Sequence, residues 1–275
     1  MSEPTSGALA MDRLLDLMAR LRAPDGCAWD REQTPATLKP QMLEECYEVI
    51  EAIDAGSPGH LTEELGDLLL HIVFQAQIAR EAGEFAFADV ANGIADKLIR
   101  RHPHVFGDKK EAPDAAGVVA QWHRLKKTEK PERESALDGV PRALPALMRA
   151  EALQKKARRV GFDWPDARGS LDKVREEVAE VTAEIESDLA FALANEAKFT
   201  PAPETAEEIG DLLFSIVNLT RHLKLDAEEL LTGANDKFAR RFRAVEERIK
   251  ARGKTMTDCA LEELDAAWND VKSDG

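Results

Sequence analysis

The sequence predicts an all-α protein made of two tandem, duplicated helical bundles. Apolar residues recur at helical spacing in both halves; in the first half they are Met42, Cys46, Val49 and Ile53. No convincing alternating pattern indicates a β-strand. An eleven-residue segment at 63–73, EELGDLLLHIV, recurs at 207–217 as EEIGDLLFSIV with eight identical positions. We therefore expect antiparallel helices joined by short turns.

The duplication covers a whole domain, because five motifs follow one another in the same order in both halves. They are GxxW, ExxE, ExxD, a basic pair four residues apart, and WxxxK. In the first half they lie at Gly26–Trp29, Glu45/Glu48, Glu64/Asp67, Lys97/Arg101 and Trp122/Lys126. In the second half they lie at Gly161–Trp164, Glu177/Glu180, Glu208/Asp211, Lys237/Arg241 and Trp268/Lys272.

The sequence places the domain boundary where charged residues give way to proline and glycine. We predict an N-terminal helical domain at 1–130, a linker at 131–145 and a C-terminal helical domain at 146–275. A second irregular stretch at 195–205 separates the two acidic motifs of the second half. It is either a loop that reaches over a ligand or a tolerated insertion.

Composition favours an acidic protein of the cytoplasm. The 275 residues carry 37 basic and 52 acidic side chains, for a net charge of −15. This balance argues against a nucleic-acid surface, although a bridging cation would still let the protein bind an anion. The three separated cysteines indicate neither a zinc knuckle nor a disulfide framework. We expect no signal peptide and no membrane span.

The acidic motifs lie unusually close to the apolar faces of their helices. On a helical wheel Glu208 falls on the apolar side with Leu212, and Glu177 borders an apolar stripe. That stripe consists of Val174, Val178, Val181 and Ile185. One ExxE motif is usually a solvated face, but ExxE and ExxD on facing helices would bring four carboxylates together.

Such a cluster needs a cation, because carboxylates are almost never buried without a partner. An oxygen-only donor set favours Mg²⁺, with Mn²⁺ as a substitute. The predicted metal ligands are Glu177, Glu180, Glu208 and Asp211 in the second half, and Glu45, Glu48, Glu64 and Asp67 in the first. Gly66 and Gly210 suggest a close helix approach or room for the ion. His71 is interpreted as a supporting or packing residue.

Other chemistry-bearing residues have two interpretations each. Lys237 and Arg241 are either surface charges or a clamp for an anion. Trp268 is either part of a core or a platform on which a base stacks.

Taken together, these motifs closely resemble the MazG family of the all-α NTP pyrophosphatase superfamily. The likeness runs from about Leu14 to Lys272 and includes RRHPHVF at 100–106, ALMRAE at 146–151, VGFDW at 160–164 and the run KFARRF at 237–242. The resemblance implies bundles of that superfamily's type, a homodimer and broad-specificity, Mg²⁺-dependent hydrolysis of nucleoside triphosphates to monophosphate and diphosphate. It also implies a role in nucleotide-pool housekeeping and places the activity in the C-terminal copy.

The resemblance assigns roles to individual residues. The catalytic residues would be Glu176, Glu177, Glu180, Glu208 and Asp211. The substrate-binding residues would be Lys173, Glu207, Lys237, Arg241, Trp268 and Lys272. Glu176 or Glu180 could accept the proton of the attacking water. The first half keeps the matching positions, so nothing in the sequence disables its metal cluster.

Two other function classes remain open from the residues alone. One is a regulatory module that binds nucleotides without turnover. The other is a di-iron carboxylate oxidoreductase, which needs a Glu-x-x-His pair on its metal-binding helices. Here Glu64 and Glu208 are followed three residues later by Asp67 and Asp211, which disfavours that class.

Overall fold

The computed structural model describes residues 6–107, 114, 117–118, 121 and 134–274. Within these ranges all regular structure is helical, so the all-α prediction is confirmed. The chain forms two compact units, Met1–Pro131 and Glu132–Gly275. They are called unit 1 and unit 2 below.

The described helices of unit 1 are α1 (Gly7–Leu21), α2 (Ala28–Glu32), α3 (Lys39–Asp54), α4 (Pro58–Glu81), α5 (Phe87–Arg101) and α6 (Pro103–Phe106). Helix α4 packs against α1, α3 and α5. Its buried side chains join those of neighbouring segments in a core of Met18, Leu38, Val73 and Phe74. Pro58 begins α4, where proline is tolerated because the first helical N–H groups have no partner inside the helix.

The helices of unit 2 are α7 (Ala146–Arg158), α8 (Ala167–Ala194), α9 (Pro203–His222), α10 (Ala227–Ala251), a 3₁₀ turn (Met256–Asp258) and α11 (Leu261–Asp274). Helix α9 packs along α8 and against α7. Helix α10 packs against α11 around a separate core of Val245, Ile249, Ala267 and Val271.

The extra residues between the acidic motifs of unit 2 lengthen α8 and form the connection to α9. Helix α8 has 28 residues, whereas its counterpart α3 has 16. The carboxylate of Asp188 on α8 accepts hydrogen bonds from the Ala202 N–H at 2.9 Å and the Thr205 hydroxyl at 2.6 Å. These bonds lower the pKa of Asp188, the one from Thr205 most, and hold the end of the connection against α8.

The apolar stripe predicted on α8 does not face a core along its whole length. Val178 is 48% exposed and Ile185 is 36% exposed, whereas Glu177 is only 3% exposed. The buried face of α8 includes Ser170 and Glu177, which lie seven residues apart. The apolar stripe therefore lies along the border between the buried and the exposed face of the helix.

No helix in the described ranges is both long enough and apolar enough to cross a membrane.

Candidate metal centre

Helices α8 and α9 gather three of the four metal ligands predicted in unit 2. One carboxylate oxygen each from Glu177, Glu180 and Glu208 lies within 4.8 Å of the others. Glu177 is buried, Glu208 is half-buried and Glu180 is exposed. The i,i+3 spacing puts Glu177 and Glu180 on adjoining turns, and the α8–α9 packing brings Glu208 beside them.

The fourth predicted ligand, Asp211, is not a member of this three-residue group. It is exposed, but it lies close enough for its charge to act on Glu208. Asp211 also lines the same cavity as Glu177. The structure therefore places Asp211 at the edge of the cluster.

The cluster is electrostatically strained when no cation is bound. Burial raises the pKa of Glu208, and the charges of Glu180, Glu177, Asp211 and Glu207 raise it further. Glu207 is exposed, so the described structure gives it this electrostatic role only. Three converging carboxylates with an all-oxygen donor set fit a hard divalent cation such as Mg²⁺.

Lys173 is the basic residue that contacts the cluster. Its Nζ lies 2.8 Å from Glu176 Oε1 and 2.7 Å from Glu177 Oε1. The hydrogen bond to Glu176, together with the one to Glu177, raises the pKa of Lys173. Glu176 itself is exposed and lies outside the three-residue group, so its partner in the structure is Lys173.

Replacing Glu208 with Gln should stabilise the metal-free protein at neutral pH. The pKa of Glu208 is raised in the folded state, so its ionisation favours unfolding. The penalty is complete above the folded pKa and disappears as pH falls below the ordinary value of 4.5. Thermal unfolding in EDTA should show a higher Tm for the variant at pH 7 and equal Tm values near pH 4. A lower Tm at pH 7 would contradict this electrostatic picture.

Unit 1 contains a matching acidic cluster of Glu45, Glu48 and Glu64. The pKa of Glu45 is raised. Burial contributes most, and the hydrogen bond with Glu48 and the nearby charges of Glu48, Asp67 and Glu64 raise it further. As in unit 2, the predicted aspartate, Asp67, is not one of the three clustered residues. Both units therefore contain an acidic cluster at matching sequence positions, although the buried member is Glu64 in unit 1 and Glu177 in unit 2.

Two histidines border the unit 1 cluster and have no equivalent in unit 2. The Nε2 atom of His60 lies 2.9 Å from Glu64 Oε1. His71 is buried, with its Nε2 3.9 Å from Glu45 Oε1, and burial lowers its pKa. The corresponding residue in unit 2, Ser215, is also buried. His71 thus lies beside the cluster as a packed side chain.

The prediction that Gly66 and Gly210 allow a close helix approach is wrong. A Cβ added at either residue would meet no atom within 4 Å outside its own helical turn. Both residues lie on the exposed sides of their helices. The structure leaves their other proposed role, room for the ion, as a prediction.

Four of the six predicted substrate-binding residues, Lys237, Arg241, Trp268 and Lys272, lie on α10 and α11, whereas Lys173 lies on α8 and Glu207 on α9. The Phe238 ring lies 5.3 Å from the Trp268 ring, and α10 and α11 pack together behind them. Lys237 and Lys272 are exposed and Arg241 is half-buried. Within the described ranges, no hydrogen bond or ion pair joins these three cations to the acidic cluster.

The basic pair of unit 1 lies on α5, where Lys97 and Arg101 are half-buried. The remaining predicted residues of that half, Trp122 and Lys126, lie outside the described residues.

Sequence reasoning missed a cavity of about 750 Å³ next to the unit 2 cluster. Lys173, Glu177 and Asp211 form one part of its wall. The rest is lined by apolar and aromatic side chains together with the polar residues Gln154, Asp163, Ser215, Asn218 and Arg221. Polar residues on the inner faces of α7 and α9 were the signal that could have revealed it.

An ion-pair network closes one side of this cavity. Arg221 donates to both carboxylate oxygens of Asp163, and Nη1 lies 3.0 Å from Oδ2. The Nε2 atom of His222 lies 3.0 Å from Asp163 Oδ1. Burial alone would raise the pKa of Asp163, but the hydrogen bonds and charges of Arg221 and His222 outweigh it and lower that pKa.

Comparison with known proteins places this site in a family. The model of the MazG nucleotide pyrophosphohydrolase domain matches residues 33–106 and 169–245, which include both acidic clusters. The nucleoside triphosphate pyrophosphohydrolase of Escherichia coli K12 is 49% identical over 265 residues, covering 95% of this chain and 97% of the relative.

Two further relatives support the assignment. The nucleoside triphosphate pyrophosphohydrolase/pyrophosphatase MazG of Thermotoga maritima is 44% identical over 265 residues, which is 96% of either chain. The nucleoside triphosphate pyrophosphohydrolase of Mycobacterium tuberculosis is 37% identical over 154 residues, covering 55% of this chain and 46% of the relative. The chain therefore belongs to the MazG nucleotide pyrophosphohydrolase family, which confirms the resemblance and the class of enzyme that its sequence motifs predict.

Proposed function

We propose that unit 2 is a Mg²⁺-dependent nucleoside triphosphate pyrophosphohydrolase that releases a nucleoside monophosphate and diphosphate. The observation that supports this most is the Glu177–Glu180–Glu208 cluster beside a cavity large enough for a nucleoside. The acids would meet the triphosphate through the cation, and the cavity would receive the rest of the substrate.

Glu177, Glu180 and Glu208 would hold the metal, with Asp211 at the edge of the site. When bound, Mg²⁺ neutralises phosphate charge and lowers the pKa of a coordinated water. Lys173 keeps Glu176 and Glu177 oriented through its two short contacts. Mn²⁺ should substitute, because it accepts the same oxygen ligands.

The reaction breaks the anhydride bond between the α and β phosphates. The oxygen of a water molecule bonds to the α phosphorus, and the bridging oxygen leaves with the diphosphate. The water's proton passes to a carboxylate, for which Glu176 and Glu180 are the candidates because both are exposed. We assign to Lys237 and Arg241 the role of stabilising the negative charge that develops on the leaving diphosphate. Trp268 and Lys272 complete the nucleotide contacts in this proposal.

Product analysis separates this proposal from a regulatory module that only binds nucleotides. Incubation of the protein with ATP and Mg²⁺ should give AMP and diphosphate in equal amounts, measured by ion-exchange chromatography. EDTA should abolish turnover, since the carboxylates repel the triphosphate without a cation. Bound but intact ATP, or release of ADP and phosphate, would rule out the proposed reaction.

We further propose that the enzyme accepts several bases, serves nucleotide-pool housekeeping in the cytoplasm and acts as a homodimer. The apolar residues left exposed along α8 and α9 support a dimer. They include Val178, Leu189, Ile209 and Leu213, at 43–52% exposure. A second copy would cover such faces, and analytical ultracentrifugation of the full chain tests for it.

A further inference from the structure

The two units have diverged in their cores, although their acidic clusters match. Leu38 lies seven residues before Glu45, and Ser170 lies seven residues before Glu177, the equivalent residue of unit 2. Phe74 lies ten residues after Glu64, and Asn218 lies ten after Glu208. Two large apolar side chains that fill the unit 1 core are therefore small and polar in unit 2.

The cavity lies at the second of these positions, since Asn218 is part of its wall, whereas Ser170 is buried and is not a lining residue. Leucine and phenylalanine contribute to stability by filling space, so their replacement removes packing that unit 1 retains. The cavity wall is mainly apolar and carries a few polar groups, which suits a flat ring with polar atoms at its edge.

Gln154 lines the cavity, and its side-chain amide has a fixed orientation. Its Nε2 donates to the main-chain carbonyl of Phe214 at 2.8 Å, and because a carbonyl only accepts, this bond fixes the amide orientation. The other amide atom, Oε1, is buried and has no hydrogen-bond partner within the described residues. Gln154 is 6% exposed and its Oε1 has almost no accessible surface, so this oxygen packs behind the cavity wall and is not presented to a ligand.

Asn218 offers a donor on the same wall. Its Oδ1 accepts from Arg221 Nη2 at 2.6 Å, which leaves the Nδ2 amide group as the donor. Arg221 is held in turn by Asp163, so the orientation of Asn218 is set by a buried ion pair. Asn218 is also one helical turn after Phe214, the residue that anchors Gln154.

We propose that this cavity binds the nucleobase of the triphosphate, with Asn218 Nδ2 donating a hydrogen bond to its edge. The four bases differ in where donors and acceptors lie along their edges, so a donor in a fixed position discriminates among them. Phe214 and Trp164 supply aromatic wall, and Glu177 links the cavity to the metal site. The inference rests on the proposed function, because it assumes a nucleoside triphosphate substrate.

The substitution Asn218→Asp tests the inference through base selectivity. An aspartate keeps an oxygen for Arg221 but replaces the donor with an acceptor. The ratios of kcat/KM among ATP, GTP, CTP and UTP should change by about tenfold or more, as expected for a reversed base contact. Its negative charge would repel every triphosphate equally, so that effect cancels in the ratios. The exposed Asn92 on α5 provides the control Asn92→Asp, which should leave the ratios unchanged.

An equal fall in kcat/KM for all four nucleotides would overturn the assignment, because a purely structural role for Asn218 predicts that result. A binding experiment without phosphate gives an independent readout. Adenosine, guanosine, cytidine and uridine should show saturation-transfer NMR signals with the wild type in EDTA. The double variant Ser170→Leu/Asn218→Phe, which installs the unit 1 residues, should lose them.

The two experiments separate failure of the base site from failure of the proposed function. Normal ATP turnover without nucleoside binding and without a change in base ratios would overturn the base site alone. Nucleoside binding without any turnover would overturn the proposed reaction and leave the base site in place. Circular dichroism checks the folding of the double variant, and Asn218→Asp keeps the inference testable if that variant does not fold.

Discussion

Replacing Glu177 with Gln is expected to lower kcat for nucleoside triphosphate hydrolysis about 10³-fold, because a metal-held carboxylate supports several kcal/mol of transition-state stabilisation. Glu177 is the most buried acid of its cluster, at 3% exposure, and it also lines the cavity. Glutamine has nearly the same size, so the change removes charge and little packing. Steady-state kinetics with ATP and saturating Mg²⁺ measure the effect.

The duplicated chain supplies its own control for this experiment. Glu45 occupies the equivalent position in unit 1 and belongs to the matching cluster. If the chemistry resides in unit 2, the variant Glu45→Gln should keep most of the turnover. Wild-type kcat in Glu177→Gln, or loss of activity in Glu45→Gln alone, would contradict the assignment of catalysis to unit 2.

Replacing Arg221 with Met is expected to lower the free energy of unfolding by up to about 3–5 kcal/mol, the cost of removing one partner of a buried ion pair, because of the described basic residues only His222 and Arg158 then remain near Asp163. The Arg221 side chain is 4% exposed and its partner Asp163 is 13% exposed. Urea unfolding at pH 7 measures the loss. Arg175 pairs with Asp172 at the surface, where both side chains are about 70% exposed. The control Arg175→Met should therefore cost at most about 1 kcal/mol.

The pH dependence of this loss follows from the sign of the pKa shift. The pKa of Asp163 is lowered in the folded protein from its ordinary value of 3.8. The ion pair therefore contributes its full stability above that value and loses it as pH falls through the folded pKa. The difference between wild type and Arg221→Met should shrink below about pH 4. A cost at pH 7 no larger than that of Arg175→Met would show that Asp163 does not depend on Arg221.

The fold and the acidic clusters could be predicted because their signals are local. An ExxE spacing places two carboxylates on neighbouring turns whatever surrounds the helix. Facing helices then follow from the repeated pairing of ExxE with ExxD in each half. The sequence did not show that Glu208 belongs to the cluster whereas Asp211 lies at its edge. The two residues are one turn apart on α9, and the packing of α9 against α8 decides which carboxylate lies beside Glu177 and Glu180.

The polar residues on α7 and α9 indicate a polar lining, but the partners in the cavity and its ion-pair network could not be predicted, since they lie far apart in the chain. Asp163 and Arg221 are separated by 58 residues, and Gln154 and Phe214 by 60. Nothing in the local pattern of α7 or α9 indicates that these partners meet. The exposure of Val178 and Ile185 on α8 could not be predicted either. Periodicity identifies an apolar face of a helix but not the element that covers it.

The central claim is that Glu177, Glu180 and Glu208 together hold the divalent ion that receives the triphosphate. Crystals of the full chain grown with Mn²⁺ and a non-hydrolysable ATP analogue test it most directly through the anomalous signal of manganese. We expect a manganese peak within bonding distance of these three carboxylates, with phosphate oxygens completing its coordination. A peak elsewhere on the chain, with the three carboxylates unbound, would contradict it.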